Sequence, residues 1–216
     1  MLEIRYVWEF PVRLTHWVTA VSILVLSLTG FYIGNPFFPG GDGAYVMGWV
    51  RFVHFVAAYV FLMSFIIRSI WFLIGNEYGS WRMFFPWATQ KGRANALSFF
   101  RYYTFTGKKI PYEVGHNALA CLAYAVIFFL YLVMIVSGFT LYGMYQPGGF
   151  WDGMLGWLLV PIDSQWLRLT HHLGMWLIIG FVINHIYSAW LMDVKEMNGT
   201  VSSMFSGYKY INPKDL

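Results

Sequence analysis

Four apolar runs, each long enough to cross a lipid bilayer, are the feature that most constrains the fold of this chain. They extend roughly over residues 15–33, 47–74, 118–142 and 166–192. A hydrocarbon core of about 30 Å needs roughly 20 apolar residues in a helix, and this chain is 58% hydrophobic and only 11% charged. Backbone groups in lipid are satisfied within helices. We therefore predict an all-α membrane protein, with a single transmembrane domain over residues 1–216 built as a four-helix bundle.

The distribution of Lys and Arg predicts how the spans are oriented. Basic residues occur in the N-terminal segment, in the connection between the second and third spans and in the C-terminal tail, whereas the two other connections carry Asp42, Asp152 and Asp163 and no Lys or Arg. Both termini of this multi-pass protein are therefore expected in the cytoplasm. A segment over roughly 93–105 mixes basic and aromatic residues, as an interfacial helix would.

Three histidines lie near the two ends of the fourth span. His171 and His185 are separated by 14 residues, which places their side chains within about 40° of each other and about 21 Å apart along a helix. His172 is rotated by about 140° from the direction of His185. We therefore expect His171, and not His172, to share a face with His185. His172 could touch a cofactor edge or a partner subunit, and the sequence does not choose between these.

The histidines of the other spans match these two depths. If both termini are cytoplasmic, His54 lies at the depth of His171 near the outer surface, and His16 lies at the depth of His185 near the inner surface. Two pairs of imidazoles in a four-helix bundle suit two haems, each with its iron ligated by one histidine on each side. A zinc or copper site would need three or four ligands at one point, whereas each depth offers two.

Three arginines are candidates for binding the haem propionates. Arg68 is 14 residues after His54 on the same span, and Arg51 and Arg13 each precede a histidine by three residues. Guanidinium groups bind carboxylates with two parallel hydrogen bonds. Arg51 and Arg13 could equally be ordinary helix-end residues that extend towards the headgroups.

One further histidine has no partner among the four candidate ligands. His116 opens the third span, next to Asn117 and close to Glu113. A quinone needs a hydrogen-bond donor and a proton route near the inner haem, so these three residues are candidates for a quinone site. The alternative is that His116 is an ordinary polar residue at the start of a helix.

The single cysteine, Cys121, restricts the possible redox cofactors. One cysteine excludes a disulfide framework, a covalent haem attached through C-x-x-C-H and a self-contained iron–sulfur cluster. No catalytic residue is predicted.

Several motifs resemble those of one known family. They are "FPVRLTHW", "LTGFYIG", "MGWVRFVHF", "IIRSIW", "VGHNALA", "SGFTLY", "HHLGMWLIIGFVINHIY" and "SGYKY". Together they closely resemble the b-type cytochrome subunit of membrane-bound nickel-iron uptake hydrogenases. The resemblance implies two haems b with His16, His54, His171 and His185 at the ligand positions, and a hydrogenase small subunit as partner. It also implies a location in the bacterial cytoplasmic (inner) membrane.

The expected function is electron transfer. The chain would pass electrons from a nickel-iron hydrogenase on the outer face to the membrane quinone pool, as a subunit of a hydrogen:quinone oxidoreductase complex whose hydrogen chemistry lies on partner subunits. An alternative is the related gamma subunit of a membrane formate dehydrogenase. A different class of function is a haem-free membrane anchor or transporter, although transporters commonly have discontinuous helices with polar sites at the midplane.

Overall fold

A computed structural model describes residues 3–37, 45–81, 90–104, 106–107 and 118–211. In chain order the elements are β1 (Glu3–Tyr6), α1 (Phe10–Gly34), α2 (Val46–Ile74), α3 (Gln90–Tyr103), α4 (Ala118–Tyr145), α5 (Phe150–Leu155), a 3₁₀ turn (Gly156–Leu159), α6 (Ser164–Glu196), α7 (Thr200–Ser206) and β2 (Tyr208–Ile211). Among these, α1, α2, α4 and α6 are long and apolar enough to cross a membrane. The prediction of a mainly helical, multi-pass membrane protein with four spans is confirmed.

Residue contacts divide the chain into two compact units. The first unit comprises residues 8–80 and contains α1 and α2. The second unit comprises residues 1–7 and 81–216 and contains α3 to α7 with both strands. That residues 1–216 form a single domain stays a prediction.

In the first unit, the start of α1 is joined to the end of α2 by Glu9. Glu9 precedes α1, which has a proline in its first turn, where the missing N–H costs nothing. The Glu9 side chain does not cap its own helix. Its Oε2 atom instead accepts hydrogen bonds from Trp71 Nε1 and from the backbone N–H of Asn76, each 2.8 Å long. One carboxyl group therefore connects residues more than 60 positions apart.

Hydroxyl groups connect the same two helices further into the apolar region. Ser64 Oγ on α2 donates to the carbonyl oxygen of Thr15 over 3.1 Å, and it lies 2.9 Å from Thr19 Oγ1 on α1. Ser64 and Thr15 are both buried. Small hydroxyl side chains of this kind let transmembrane helices approach closely and hydrogen-bond to each other.

In the second unit, α4 packs against α6 and α5. A Cβ atom on Gly143 would lie 2.9 Å from the backbone nitrogen of Asp152, so only glycine permits the close approach of α4 to α5. The helix α6 begins at an Asp163 cap, whose carboxyl oxygen accepts from the backbone N–H of Gln165 over 2.7 Å. The helix ends at Glu196, and the next residue, Met197, has the left-handed conformation (φ 49°) that is common after helix ends.

The predicted interfacial segment at 93–105 overlaps a helix, α3, which begins earlier, at Gln90, and ends at Tyr103; residue 105 lies outside the described residues. This helix packs against α4. The ammonium of Lys195, in the last turn of α6, donates to Tyr102 Oη over 2.9 Å and lies 5.4 Å from the centre of its ring. That α3 lies in the headgroup layer stays a prediction.

The two ends of the described chain meet in a small antiparallel sheet that the sequence did not predict. Strand β1 pairs with β2 from Glu3 opposite Ile211 to Tyr6 opposite Tyr208. The strand β1, which precedes α1, and the strand β2, which follows α7, therefore lie on the same side of any membrane that the spans cross. Lys209 on β2 is buried, and burial lowers the pKa of its ammonium group below the ordinary value, although Glu196 and Asp193 partly oppose this shift.

Replacing Glu9 with alanine should destabilise the chain. The substitution removes the acceptor of two partly buried donors, and each unsatisfied donor costs roughly 1–3 kcal/mol. We expect the thermal unfolding midpoint in detergent, followed by circular dichroism, to fall by roughly 5 °C or more. Glu3→Ala is the control, because it removes only the exposed 3.6 Å ion pair with Arg5, which contributes little in water. Equal midpoints for the two variants would show that the Glu9 contacts do not stabilise the fold.

Candidate functional site

In the first unit, the candidate ligand His54 is held by a hydroxyl group of the neighbouring helix. His54 lies on α2 and is half-buried. Its Nδ1 atom is 2.8 Å from Oγ1 of Thr29 on α1. The same hydroxyl is 2.7 Å from the carbonyl oxygen of Val25, four residues earlier on its own helix. The nitrogen of His54 that can ligate a metal is therefore Nε2.

In the second unit, His171 is held in the same way. Its Nδ1 atom is 2.9 Å from Oγ of Ser137 on α4, and that hydroxyl is 2.7 Å from the carbonyl oxygen of Val133. Gly138 makes room for the ring, because a Cβ atom at this position would lie 3.0 Å from His171 Cε1. His172 is exposed. The two adjacent histidines thus have different surroundings, as the predicted rotation around α6 requires.

These imidazoles have the chemistry of haem ligands. Haem iron binds a neutral imidazole nitrogen, and a metal-ligating histidine almost always donates its other ring N–H to an oxygen atom. His54 and His171 each place Nδ1 against a hydroxyl oxygen. The donor set therefore fits the haem that the sequence predicts, although the assignment of each histidine to an iron stays a prediction.

The two candidate ligands of the inner haem lie among aromatic side chains. The ring of His16 on α1 meets the ring of Trp17 edge to face at 5.1 Å. The exposed His185 on α6 stacks on Phe181, one helical turn earlier, with ring centres 5.7 Å apart and planes 8° apart. Because side chains four residues apart on a helix lie on one face, Phe181 orients the ring of His185.

The three candidate arginines differ in their surroundings. Arg68 is buried, with a relative exposure of 8%, and its Nη1 donates to the carbonyl oxygen of Gly79 over 3.0 Å. Arg51 is half-buried, and the half-buried Arg13 lies 5.9 Å from the ring centre of Phe10. Their roles as propionate partners stay predictions.

The candidate quinone residues His116, Asn117 and Glu113 lie outside the described residues. Their role is therefore a prediction from the sequence alone.

Thr29 and Ser137 contribute to the site but are not among the residues predicted from the sequence. A signal for both was present, because each is a hydroxyl residue directly followed by glycine within an apolar span, in "LTGFYIG" and "SGFTLY". Hydroxyl residues in helices commonly bond to the carbonyl four residues earlier. Their second contact, to an imidazole of the next spanning helix in the same unit, depends on helix packing.

Comparison with known proteins shows matches along nearly the whole chain. A probable Ni/Fe-hydrogenase B-type cytochrome subunit of Cupriavidus necator is 42% identical over 96% of this chain and 88% of its own length. The protein of the same name from Bradyrhizobium diazoefficiens is 38% identical over 94% of this chain and 84% of its own length. A probable Ni/Fe-hydrogenase 1 B-type cytochrome subunit of Escherichia coli (strain K12) is 32% identical over 95% of this chain and 90% of its own length.

The family comparison agrees with these relatives. Residues 7–207 match the family described as prokaryotic cytochrome b561. The resemblance to hydrogenase b-type cytochrome subunits, inferred from the motifs, is confirmed. With the family match and the relatives both extending over more than nine-tenths of its length, the chain belongs to the prokaryotic cytochrome b561 family.

Proposed function

We propose that this chain passes electrons across the cytoplasmic membrane, from a Ni/Fe-hydrogenase on the outer face to the membrane quinone pool. The observation that carries the proposal is the match of 96% of the chain to a relative named as a Ni/Fe-hydrogenase B-type cytochrome subunit. Oxidation of hydrogen yields two electrons and two protons, and reduction of a quinone consumes two of each. Hydrogen chemistry would lie on the hydrogenase, whose small subunit is the proposed direct partner.

The proposal includes two haems b, one of them near the outer face. His54 lies eight residues after the start of α2, and His171 lies seven residues after the start of α6. At a rise of 1.5 Å per residue these positions are about 12 Å and about 10 Å from the helix starts. Similar depth and the same Nδ1 contact with a hydroxyl support His54 and His171 as the two ligands of the outer iron.

The inner haem would use His16 and His185. His16 lies six residues after the start of α1. His185 lies seven residues before Met192, after which α6 continues into a charged last turn with Asp193 and Lys195. Each of the two histidines therefore lies in the half of its helix that would face the cytoplasm. Lys195 in the last turn of α6 and the basic residues of the tail support a cytoplasmic location for this end of the helix.

The chain's own residues would hold the cofactors and would not perform bond chemistry on hydrogen. Bound haem b supplies reversible one-electron oxidation and reduction of its iron. If two histidines ligate each iron, as proposed, they would leave no ligand site for oxygen or another small molecule, so each haem would suit electron transfer. Arg68, Arg51 and Arg13 would bind propionates, and His116 with Asn117 and Glu113 would form the quinone site.

The first prediction of this proposal is the haem content. The chain purified from membranes should contain two haems b, measured by the pyridine haemochrome assay and by a dithionite-reduced minus oxidised visible spectrum. The haem should be extractable, because the single Cys121 is not part of a covalent attachment motif. A chain without haem would contradict the proposal and would favour a membrane anchor or transporter.

A second prediction concerns the adjacent histidines of α6. His171→Ala should remove one of the two haems, because His171 is a proposed iron ligand and Ser137 on α4 contacts its Nδ1 atom. His172→Ala should leave both haems, because His172 is exposed and is not a proposed ligand. Haem content per chain distinguishes the two variants, which differ by one position on the same helix. Loss of a haem only in His172→Ala would show that the assignment of ligands on α6 is wrong.

A third prediction concerns the electron donor. In membranes that contain the complete complex, hydrogen should reduce the haems and then the quinone. Without this chain, the hydrogenase should still reduce an artificial acceptor but should no longer reduce quinone. Formate serves as the control donor. Reduction of the haems by formate and not by hydrogen would identify a formate dehydrogenase subunit instead.

A further inference from the structure

Two hydroxyl side chains hold imidazoles with the same geometry, one in each unit. Thr29 Oγ1 is 2.8 Å from His54 Nδ1, and Ser137 Oγ is 2.9 Å from His171 Nδ1. Each hydroxyl is also 2.7 Å from the carbonyl oxygen four residues earlier on its own helix. The matching pattern occurs in two helix pairs that are separate in the sequence, α1 with α2 and α4 with α6.

The carbonyl contact decides which atom carries the proton. A carbonyl oxygen can only accept, and a hydroxyl has a single proton to donate. At 2.7 Å the proton must lie between the two oxygens, because otherwise their lone pairs would face each other. The hydroxyl then offers a lone pair to the ring, and Nδ1 must be the donor. His54 and His171 are therefore both Nδ1–H tautomers, with the lone pair on Nε2.

We infer that Thr29 and Ser137 are positioning residues that fix His54 and His171 in the tautomer and orientation needed for iron ligation through Nε2. The inference rests on the proposed function, since it requires these histidines to be haem ligands. The glycine after Ser137 contributes to the same arrangement, because Gly138 allows the ring of His171 to lie against the α4 backbone. The hydroxyl sets the rotation of the ring, and the glycine sets how closely the ring approaches α4.

These hydrogen bonds also affect the redox properties of the iron. Donation from Nδ1–H to an oxygen makes the imidazole a more basic ligand, and loss of such a partner typically costs 10–100-fold in metal affinity. A more basic ligand favours oxidised iron, which carries the higher charge. Removing either hydroxyl should therefore raise the midpoint potential of the haem that it supports. A tenfold change in the equilibrium ratio of oxidised to reduced iron corresponds to a shift of about 59 mV in the midpoint potential for one electron.

The test is a redox titration of the haem absorption of the full chain in its native membranes. Thr29→Val and Ser137→Ala should each raise the midpoint potential of the same haem, the proposed outer haem, by up to about 59 mV. Both variants should leave the potential of the other haem unchanged. Thr140→Val and Ser69→Ala are matched controls, since each of these hydroxyls bonds to the carbonyl four residues earlier at 2.7 Å. Thr29→Ser and Ser137→Thr retain the hydroxyl and should keep the original potentials.

The possible outcomes separate this inference from the proposed function. If Thr29→Val and Ser137→Ala shift different haems, the hydroxyls position their histidines but His54 and His171 do not share an iron. Loss of a haem in these two variants, with recovery in Thr29→Ser and Ser137→Thr, also supports the inference. Potentials equal to those of the control variants, or a haem loss that the conservative variants do not restore, would overturn it. A wild-type chain without haem would contradict the proposed function itself.

Discussion

The organisation of this chain depends on one constraint: a polar side chain within an apolar helix must find its hydrogen-bond partner inside the protein, because lipid offers none. Ser64 meets this constraint by bonding to the backbone of α1, and Arg68 by donating to the carbonyl of Gly79. Each such bond crosses from one segment to another. The polar groups that the bilayer disfavours are therefore the groups that specify how neighbouring helices pack.

The same constraint applies to His54 and His171, the proposed ligands of the outer iron. An imidazole has two nitrogens, and an unsatisfied one would be costly in an apolar setting. A hydroxyl on the neighbouring helix takes the Nδ1–H, and the iron would take Nε2. The partner is neutral, so no additional charge is introduced into the membrane, where charges are costly. A carboxylate in its place would bind the ring more strongly at a higher cost in desolvation.

Much of this arrangement follows from the sequence, because it depends on local properties. The length of the apolar runs predicts the four spans, and rotation along a helix predicts the difference between His171 and His172. The helix α1 begins at Phe10, and its first turn, which contains Pro11 and Arg13 and is less apolar than the rest, precedes the apolar run that starts near residue 15.

The features that the sequence did not predict depend on distant contacts. Glu9 bonds to Trp71, 62 residues away, and β1 pairs with β2 at the opposite end of the chain. No periodicity within a single segment encodes such pairs. Thr29 and Ser137 were missed for a related reason. A hydroxyl in an apolar helix commonly bonds to its own backbone, and only the packing of two helices shows that it also meets an imidazole.

The most direct test of the account is an experimental density map of the haem-loaded chain in a lipid bilayer. The account predicts that Nε2 of His54 and Nε2 of His171 ligate the same iron, while each Nδ1 keeps its contact with Thr29 or Ser137. Ligation through Nδ1, ligation by His172, or His54 and His171 on different irons would contradict it.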